Sequence, residues 1–163
     1  MEASVGIRYR AKIRQARIED SVGILQTLQE ALAHAPPWYP PPELPYALQY
    51  IMDLIAQDLV TVAVSPDDVV VGVIVLDWTH MPWNRQARYL YNQHFWVEPL
   101  WRQHRTAARL LGAAKATAKS LCVPLMLETS MEDADTGKKE RFIEKNGFRG
   151  IGGKFFFDPN QSM

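Results

Sequence analysis

The chain has a single cysteine and no excess of charge of either sign, and each scarcity excludes a class of protein. Because Cys122 has no second thiol to pair with, no disulfide forms within the chain, which is typical of a reducing compartment. Eighteen basic side chains balance eighteen acidic ones, so no global charge attracts nucleic acid or an anionic membrane. No basic and apolar leader opens the sequence, and no apolar run approaches a membrane span. We therefore expect a cytoplasmic protein.

Sequence motifs of several enzyme classes are also missing. The chain has no G-x-x-x-x-G-K-[ST], no G-x-G-x-x-G after a strand and no G-x-S-x-G, which argues against the chemistry that those motifs support. His80 and His104 have no partners at metal-ligand spacing, so we predict no metal site. Cys122 has no activating neighbour in sequence, so we expect a small buried residue rather than a nucleophile.

What the sequence does have is enough apolar residues for one core. With 163 residues, 47% apolar and 22% charged, the chain suits one domain better than two. We predict a single domain over residues 1–163, with a core from about residue 12 to 158 and short tails at both ends.

Apolar periodicity predicts helices and strands in alternation. The expected helices cover residues 21–34, 44–58, 106–121 and 136–146, the last ending at a left-handed Gly147. The expected strands cover residues 12–16, 60–64, 69–77, 89–97, 123–129 and 152–157. Turn residues at 65–68 make the second and third strands a hairpin, residues 78–88 form a longer crossing, and the helix from Thr106 makes the 123–129 strand a parallel neighbour of the 89–97 strand.

Residues 35–42 are the one biased segment, with five prolines in eight positions. Proline locks φ and lacks an N–H donor, so this segment is neither helix interior nor central strand. Two interpretations stay open: a polyproline ligand for a partner domain, or a stiff connector that lays Trp38 and Tyr39 against the body. The shortness of the segment and its position between two predicted helices favour the connector.

The stretch from Tyr89 to Ala118 is the one around which the chain is organised. An apolar strand ends at Val97, a short polar loop carries Arg102 and Arg105, and an alanine-rich helix begins near Thr106. Because the first N–H groups of a helix have no intrahelical partner, this succession builds an anion site. We expect the Thr106 hydroxyl to cap the helix while neighbouring N–H groups stay free for a phosphate.

This stretch resembles the signature of the GNAT acetyltransferases, V-x-P-x-x-R-x-x-G-x-G/A with trailing leucines. The matching run is Val97-Glu98-Pro99-Leu100-Trp101-Arg102-Gln103-His104-Arg105-Thr106-Ala107, followed by Leu110-Leu111. A second run, residues 141–148, resembles the closing F-Y-E-K-x-G-F of the family. The resemblance covers roughly residues 13–158. It implies a mixed α/β fold in which about four helices flank a mostly antiparallel sheet of six to seven strands with one parallel, splayed pair.

The resemblance also implies that acetyl-CoA binds as the acyl donor. The pantetheine arm would pair with the strand end, at Phe95, Trp96 and Val97. The pyrophosphate would lie in the loop, whose positions are Arg102, Gln103, His104, Arg105, Thr106 and Ala107. Ala107 is an accepted variant, whereas Arg105 replaces the first glycine of the loop. A side chain there takes space, but an arginine also offers charge-assisted hydrogen bonds to phosphate.

The implied reaction is direct transfer of the acetyl group to a primary amine of a small molecule or a protein. Such a transfer needs a group that removes the ammonium proton and one that protonates the leaving thiolate. The candidates are Tyr91, His94 and Glu98 and, at the end of the parallel neighbour, Glu128. A structural role for each also stays open. The family commonly uses a tyrosine of the last helix as the acid, and the matching residue here is Ile143, which cannot donate a proton.

Two alternatives to the enzyme stay open. Ile143 and Arg105 favour a CoA-binding or interaction module of the same fold without turnover. The basic and aromatic residues of the 96–109 segment also suit a nucleic-acid patch, but the zero net charge and Glu98 argue against it. We expect acetyl-CoA and an amine as partners, no nucleic acid or membrane, and aromatic loops at residues 36–42 and 78–88 that permit a homodimer.

Overall fold

The computed structural model describes residues 9–128 and 136–151, which form a mixed α/β fold. One sheet has the order β1-β2-β3-β4-β5, in which the first four strands are antiparallel neighbours and β5 runs parallel to β4. The strands are β1 (Lys12–Gln15), β2 (Val60–Val64), β3 (Val70–Met81), β4 (Asn84–Val97) and β5 (Leu125–Met126). The helices are α1 (Ser21–Leu32), α2 (Leu44–Ala56), α3 (Thr106–Leu121) and α4 (Thr136–Lys145).

The mixed α/β prediction, with a parallel pair and four helices, is confirmed. The described residues form five strands where the prediction has six to seven, and the predicted strand at residues 152–157 lies outside them. Within the described ranges, none of the helices combines the length and the apolar character needed to cross a bilayer.

The core lies on the central strands. All five residues of β2 and the stretch 71–76 of β3 are buried, which agrees with their continuous Val-rich sequence, because a strand covered on both faces has no polar side. The alanine-rich α3 packs on the sheet through its periodic buried residues, which are Leu110, Leu111, Ala114 and Ala118. Helices α1 and α2 pack against each other and against β3. These contacts hold β3 and β4, the strands that carry the candidate site.

The hairpin of β3 and β4 is longer than predicted. The crossing predicted over residues 78–88 is wrong, because strand pairing continues outward until Pro82 and Trp83 form a two-residue turn. The guanidinium carbon of Arg88 lies 4.0 Å from the ring centroid of Trp78, so a cation–π contact supports the outer half of the hairpin. Trp83 stands at the tip and is 96% exposed.

Three further predictions can be compared with the structure. Cys122 is exposed and ends α3 in a left-handed conformation with φ of 54°, so the expectation of a buried cysteine is wrong. The strand expected at 123–129 is shorter, since β5 spans only two residues, and residue 129 lies outside the described range. Gly147 has a φ of 90° after α4, as predicted.

The proline-rich segment connects α1 to α2 without helix or strand. Trp38 and Tyr39 have ring centroids 5.9 Å apart and are 37% and 46% exposed. This position supports the connector interpretation, while recognition by a partner domain stays a prediction.

Candidate functional site

A β-bulge interrupts β4 in the middle of the sheet. His94 pairs with Val75 of β3, but Asn92 pairs with Leu76, so Gln93 is an extra residue on the β4 side. A bulge bends its strand and redirects the residues on either side of it. The half of β4 that leads to the loop is therefore set at a different angle from the half that pairs with β5.

Strand β5 accompanies β4 over only two residues. Pairing joins Leu90 to Leu125 and Tyr91 to Met126, and the N–H of Leu90 donates to the carbonyl of Pro124 over 2.9 Å. Beyond Tyr91, no second strand of the described residues pairs with this edge of β4. The parallel pair thus separates just where the bulge lies.

The open edge carries the backbone groups of Phe95 and Val97. The N–H of Glu98 donates to the carbonyl of Val71 over 2.8 Å, which places residue 98 among those bonded to β3. Because bonding direction alternates along an antiparallel strand, the groups of Trp96 also face β3, whereas those of Phe95 and Val97 face away from it. An extended ligand can add to such an edge through backbone hydrogen bonds.

A tight loop leads from β4 into α3. Residues 99–101 form one turn of 3-10 helix, and the next turn brings His104 and Arg105 into left-handed conformations, with φ of 52° and 57°. Glycine adopts this conformation without steric cost, whereas in other residues the Cβ atom makes it less favourable. Arg105 therefore stands at a position whose backbone is glycine-like, in agreement with the glycine of the GNAT signature.

Thr106 does not cap α3 in the predicted way. Its hydroxyl donates to the carbonyl of Gln103 over 2.8 Å, and no side chain of the described residues accepts from the first turn of the helix. Thr106 is 1% exposed, so it joins the loop to the helix from the inside. Within the described part of the chain, the N–H groups of Ala107 and Ala108 have no hydrogen-bond partner and stay available to an anion.

Arg102 and Arg105 flank this helix start and differ in their contacts. Arg102 Nε donates to the carbonyl of Val97 over 2.8 Å, and its guanidinium carbon lies 4.9 Å from the ring centroid of Trp96. Arg102 thereby ties the loop to the end of β4. The Arg105 side chain is exposed and makes no hydrogen bond to any other described residue. The predicted cofactor residues thus form two adjoining groups, the strand end (95–97) and the loop with the helix start (102–107).

His94 contacts α1 rather than the open edge. Its Nε2 lies 3.0 Å from Thr27 Oγ1, and that hydroxyl donates to the carbonyl of Ile24 over 2.6 Å. Since Thr27 has one proton and gives it to the carbonyl, Nε2 of His94 carries the proton of the shared hydrogen bond. Burial lowers the pKa of His94 to about 4, so the imidazole is neutral at pH 7.

Tyr91 belongs to a polar group that the sequence did not reveal, here called the acid–tyrosine cluster and made of Tyr50, Asp77, Tyr91 and Gln93. Tyr50 of α2 donates to Asp77 Oδ2, while Asp77 Oδ1 accepts the N–H of Trp78 over 2.7 Å. Gln93 Nε2 donates to the Tyr91 hydroxyl, and Asp77 pairs with Tyr91 across the hairpin. The bulge residue and the hairpin register therefore assemble the cluster.

The environment of the cluster keeps both phenols protonated. Burial, followed by the charges of Asp77 and Glu128, raises the pKa of Tyr91. Burial and the hydrogen bond to Asp77 raise the pKa of Tyr50. Tyr91 is consequently a proton donor at neutral pH, with carboxylates on two sides.

Glu98 lies apart from the other two predicted catalytic residues. It precedes the 3-10 turn, and its carbonyl accepts the N–H of Trp101 over 2.8 Å. Six residues of strand lie between it and Tyr91, which is roughly 20 Å at about 3.3 Å per residue. The structure therefore does not bring Tyr91, His94 and Glu98 together at one reacting atom.

The fold of this chain is similar to that of solved acetyltransferase structures. The NatC complex bound to Gag peptide and CoA matches with a TM-score of 0.68 and 17% identity, over 88% of this chain and 87% of that chain. A predicted acetyltransferase with acetyl-CoA from Clostridium acetobutylicum matches with a TM-score of 0.66 and 16% identity, over 91% and 96%. The chain has the GNAT acetyltransferase fold. The resemblance seen in the sequence is thereby confirmed at the level of the fold.

A third structure of the same fold contains a bisubstrate analog. AAC(6')-Iy in complex with the bisubstrate analog CoA-S-monomethyl-acetylneamine has a TM-score of 0.68 and 15% identity, over 93% of this chain and 99% of that chain. By sequence, no family profile and no curated protein matches this chain.

Within this GNAT fold, Ile143 lies on α4 next to Phe142, which packs against the core. An aliphatic side chain has no proton to give, so Ile143 cannot act as a general acid. Among the described residues, no group of three His, Cys, Asp or Glu side chains is arranged to hold a metal ion.

Proposed function

We propose that this protein binds acetyl-CoA and transfers its acetyl group to a primary amine. The observation that carries the proposal is the open edge of β4, which leads directly into an uncapped helix start. The pantetheine arm would add to the edge as an extended segment, at the backbone groups of Phe95 and the N–H of Val97, whose carbonyl already accepts from Arg102. The pyrophosphate would meet the N–H groups of Ala107 and Ala108. Neighbours of the same fold whose structures contain CoA, acetyl-CoA or a CoA-based analog support it.

The two arginines of the loop have different roles in this proposal. Arg102 keeps the loop against the strand through the Val97 carbonyl, and Arg105 offers an unengaged guanidinium to the phosphates. The exposed His104 and Gln103 complete the rim of the loop.

Tyr91 is the group that we propose as the acid of the reaction. The ammonium first loses a proton to solvent or to a nearby carboxylate, and the free amine attacks the thioester carbonyl. The C–S bond then breaks and the leaving thiolate takes the phenolic proton, while the second proton lost by the nitrogen returns through solvent to the phenolate. The raised pKa of Tyr91 suits a donor, and Asp77 and Glu128 attract a cationic acceptor to the same place. The hydrogen bond of His94 to Thr27 favours a structural role for His94. The distance of Glu98 from Tyr91 along β4 favours a role for Glu98 beside the phosphate loop.

The first experiment tests the phosphate site. We expect the double variant Arg102→Ala/Arg105→Ala to bind CoA at least 10-fold more weakly in calorimetry, with a loss that shrinks as salt is added, because phosphate contacts are screened. Arg85→Ala removes an exposed arginine of the hairpin and serves as the control. Unchanged affinity in the double variant would contradict the proposed site.

The second experiment tests turnover. CoA release from acetyl-CoA is followed in the absence of dithiols with a panel of small amines and peptide amines. We expect Tyr91→Phe to lower kcat by about 10²- to 10⁴-fold, the range of general acid catalysis, with little change in CoA affinity. Tyr89→Phe, the same change two residues along β4, is the matched control.

A second candidate function is a CoA-binding module without turnover, which Ile143 favours. CoA binding by the wild-type protein with no thiol release on any acceptor would support this rival and contradict the enzyme.

We keep the acceptor as a primary amine of a small molecule or a protein. A homodimer through exposed aromatic residues such as Trp83 is likewise a proposal, which sedimentation of the wild type against Trp83→Ser would test.

A further inference from the structure

The side-chain amide of Asn92 bridges β4 to the chain beyond β5. The N–H of Glu128 donates to Asn92 Oδ1 over 2.7 Å, and Asn92 Nδ2 donates to the carbonyl of Glu128 over 3.1 Å. One amide thus bonds both backbone groups of one residue. These are the bonds that the backbone of a neighbouring strand would otherwise make.

The register explains why a side chain takes this position. The N–H of Leu90 bonds to the carbonyl of Pro124, and a parallel ladder advances by two residues on each strand. One step further, such a ladder places Met126 between Leu90 and Asn92. The step after that would join the Glu128 N–H to the backbone carbonyl of Asn92, and the Glu128 carbonyl to the N–H of His94. Because of the bulge, His94 pairs with Val75 of β3 instead, so the backbone of β4 cannot complete the ladder with Glu128. The Asn92 amide supplies one acceptor and one donor in its place.

We propose that Asn92 is a positioning residue that holds β4 apart from the backbone of Glu128 and so keeps the slot for the pantetheine arm along β4 open. Paired strands lie about 4.8 Å apart, and an amide inserted between two backbones requires a larger separation. Beyond this bridge lie the open-edge groups of Phe95 and Val97, where the arm would add. The inference rests on the proposed function, because the CoA arm is what fills the slot.

The test uses two ligands that share the phosphates but not the arm. CoA carries the pantetheine arm, whereas 3'-phosphoadenosine 5'-diphosphate carries only the nucleotide and its phosphates. For Asn92→Ala we expect calorimetry to show CoA affinity reduced at least 10-fold and affinity for the nucleotide unchanged within twofold. Asn84→Ala is the matched control, since Asn84 lies on the same strand and its Oδ1 accepts the Gln86 N–H over 3.0 Å, far from the slot. We expect it to change neither affinity.

A second variant keeps the inference testable if Asn92→Ala does not fold. Asn92→Asp has the same shape and keeps the acceptor for the Glu128 N–H, but its carboxylate cannot donate to the Glu128 carbonyl. We expect a smaller loss of CoA affinity, of about three- to tenfold, again without a loss for the nucleotide.

The outcomes separate this inference from the function on which it rests. A wild-type protein that does not bind CoA overturns the proposed function. A wild-type protein that binds CoA, with folded Asn92 variants that bind it equally well, overturns the inference alone. Equal losses for CoA and for the nucleotide also overturn it, because they would indicate a general distortion rather than a slot for the arm.

Discussion

Arg14 of β1 holds two carboxylates that differ in exposure. Its guanidinium contacts Asp20 at 2.7 and 3.0 Å and Asp68 at 3.0 Å. The side chains of Arg14 and Asp20 are 11% and 7% exposed, against 64% for Asp68. Burial by itself raises the pKa of Asp20, but hydrogen bonds from Arg14 and from the Arg17 N–H outweigh that effect, so the pKa of Asp20 is lowered.

Replacing each of the two carboxylates should show this difference. We expect Asp20→Asn to reduce the free energy of unfolding by about 2 to 4 kcal/mol, because it leaves the Arg14 charge buried without its main partner. Asp68→Asn should cost less than about 1 kcal/mol, since an exposed ion pair is screened by water. Urea unfolding at pH 7 measures both. Equal losses would show that exposure does not decide the strength of the two pairs.

The residues that sequence reasoning identified and those that it missed differ in how far their partners lie along the chain. Arg102, Arg105 and Ala107 could be singled out from the sequence as candidates because their motif is continuous, and its backbone forms one loop. The contact of Tyr50 with Asp77 joins residues 27 apart, and that of His94 with Thr27 joins residues 67 apart. Such contacts arise from the packing of a helix on a sheet and leave no local pattern. An acidic residue directly after the buried run of β3 was the one available signal for Asp77.

At the scale of elements, the junction between β4 and α3 is where local preference and fold disagree. Arg105 pays for a left-handed backbone, which costs a residue with a side chain roughly 1 to 2 kcal/mol. We expect Arg105→Gly to raise the free energy of unfolding by about 0.5 to 1 kcal/mol, since the greater freedom of glycine in the unfolded chain offsets part of the relief. Arg105→Ala should stay within about 0.5 kcal/mol of the wild type, because alanine pays the same backbone cost.

Thermal and urea unfolding of the two Arg105 variants measure this difference. A stabilisation by alanine as large as that by glycine would assign the effect to the side chain instead of the backbone.

Element boundaries were harder to predict than element types. Pro82 and the polar residues around it favoured a loop over 78–88, but pairing between β3 and β4 and the contact of Arg88 with Trp78 extend both strands. Tertiary pairing here overrides local preference. Strand β5 is short because the bulge at Gln93 and the amide of Asn92 end its ladder with β4, and the sequence shows no sign of either.

At the scale of the whole molecule, stability in acid should fall in two separate pH ranges. Burial lowers the pKa of His94 to about 4 from an ordinary value of about 6.5. As the pH drops below about 6.5, His94 is protonated in the unfolded chain but stays neutral in the folded chain, so the free energy of unfolding falls until about pH 4. Asp20 acts lower. Its pKa is lowered by folding, so its contribution is present above about pH 3.9 and disappears as the pH falls through the folded value.

Of His94 and Asp20, only His94 should lower the free energy of unfolding in the upper pH range. In the wild type we expect the free energy of unfolding to fall by about 3 kcal/mol between pH 7 and pH 4 from this group, at about 1.36 kcal/mol per pKa unit. His94→Gln should flatten that part of the profile, because glutamine keeps a donor for Thr27 but takes up no proton. Urea unfolding at pH 7, 6, 5 and 4 gives the profile. His34→Gln, the same change at an exposed position after α1, is the control and should leave the slope unchanged. A slope that persists in His94→Gln would mean that the neutral, half-buried imidazole is not the cause of the pH dependence of stability.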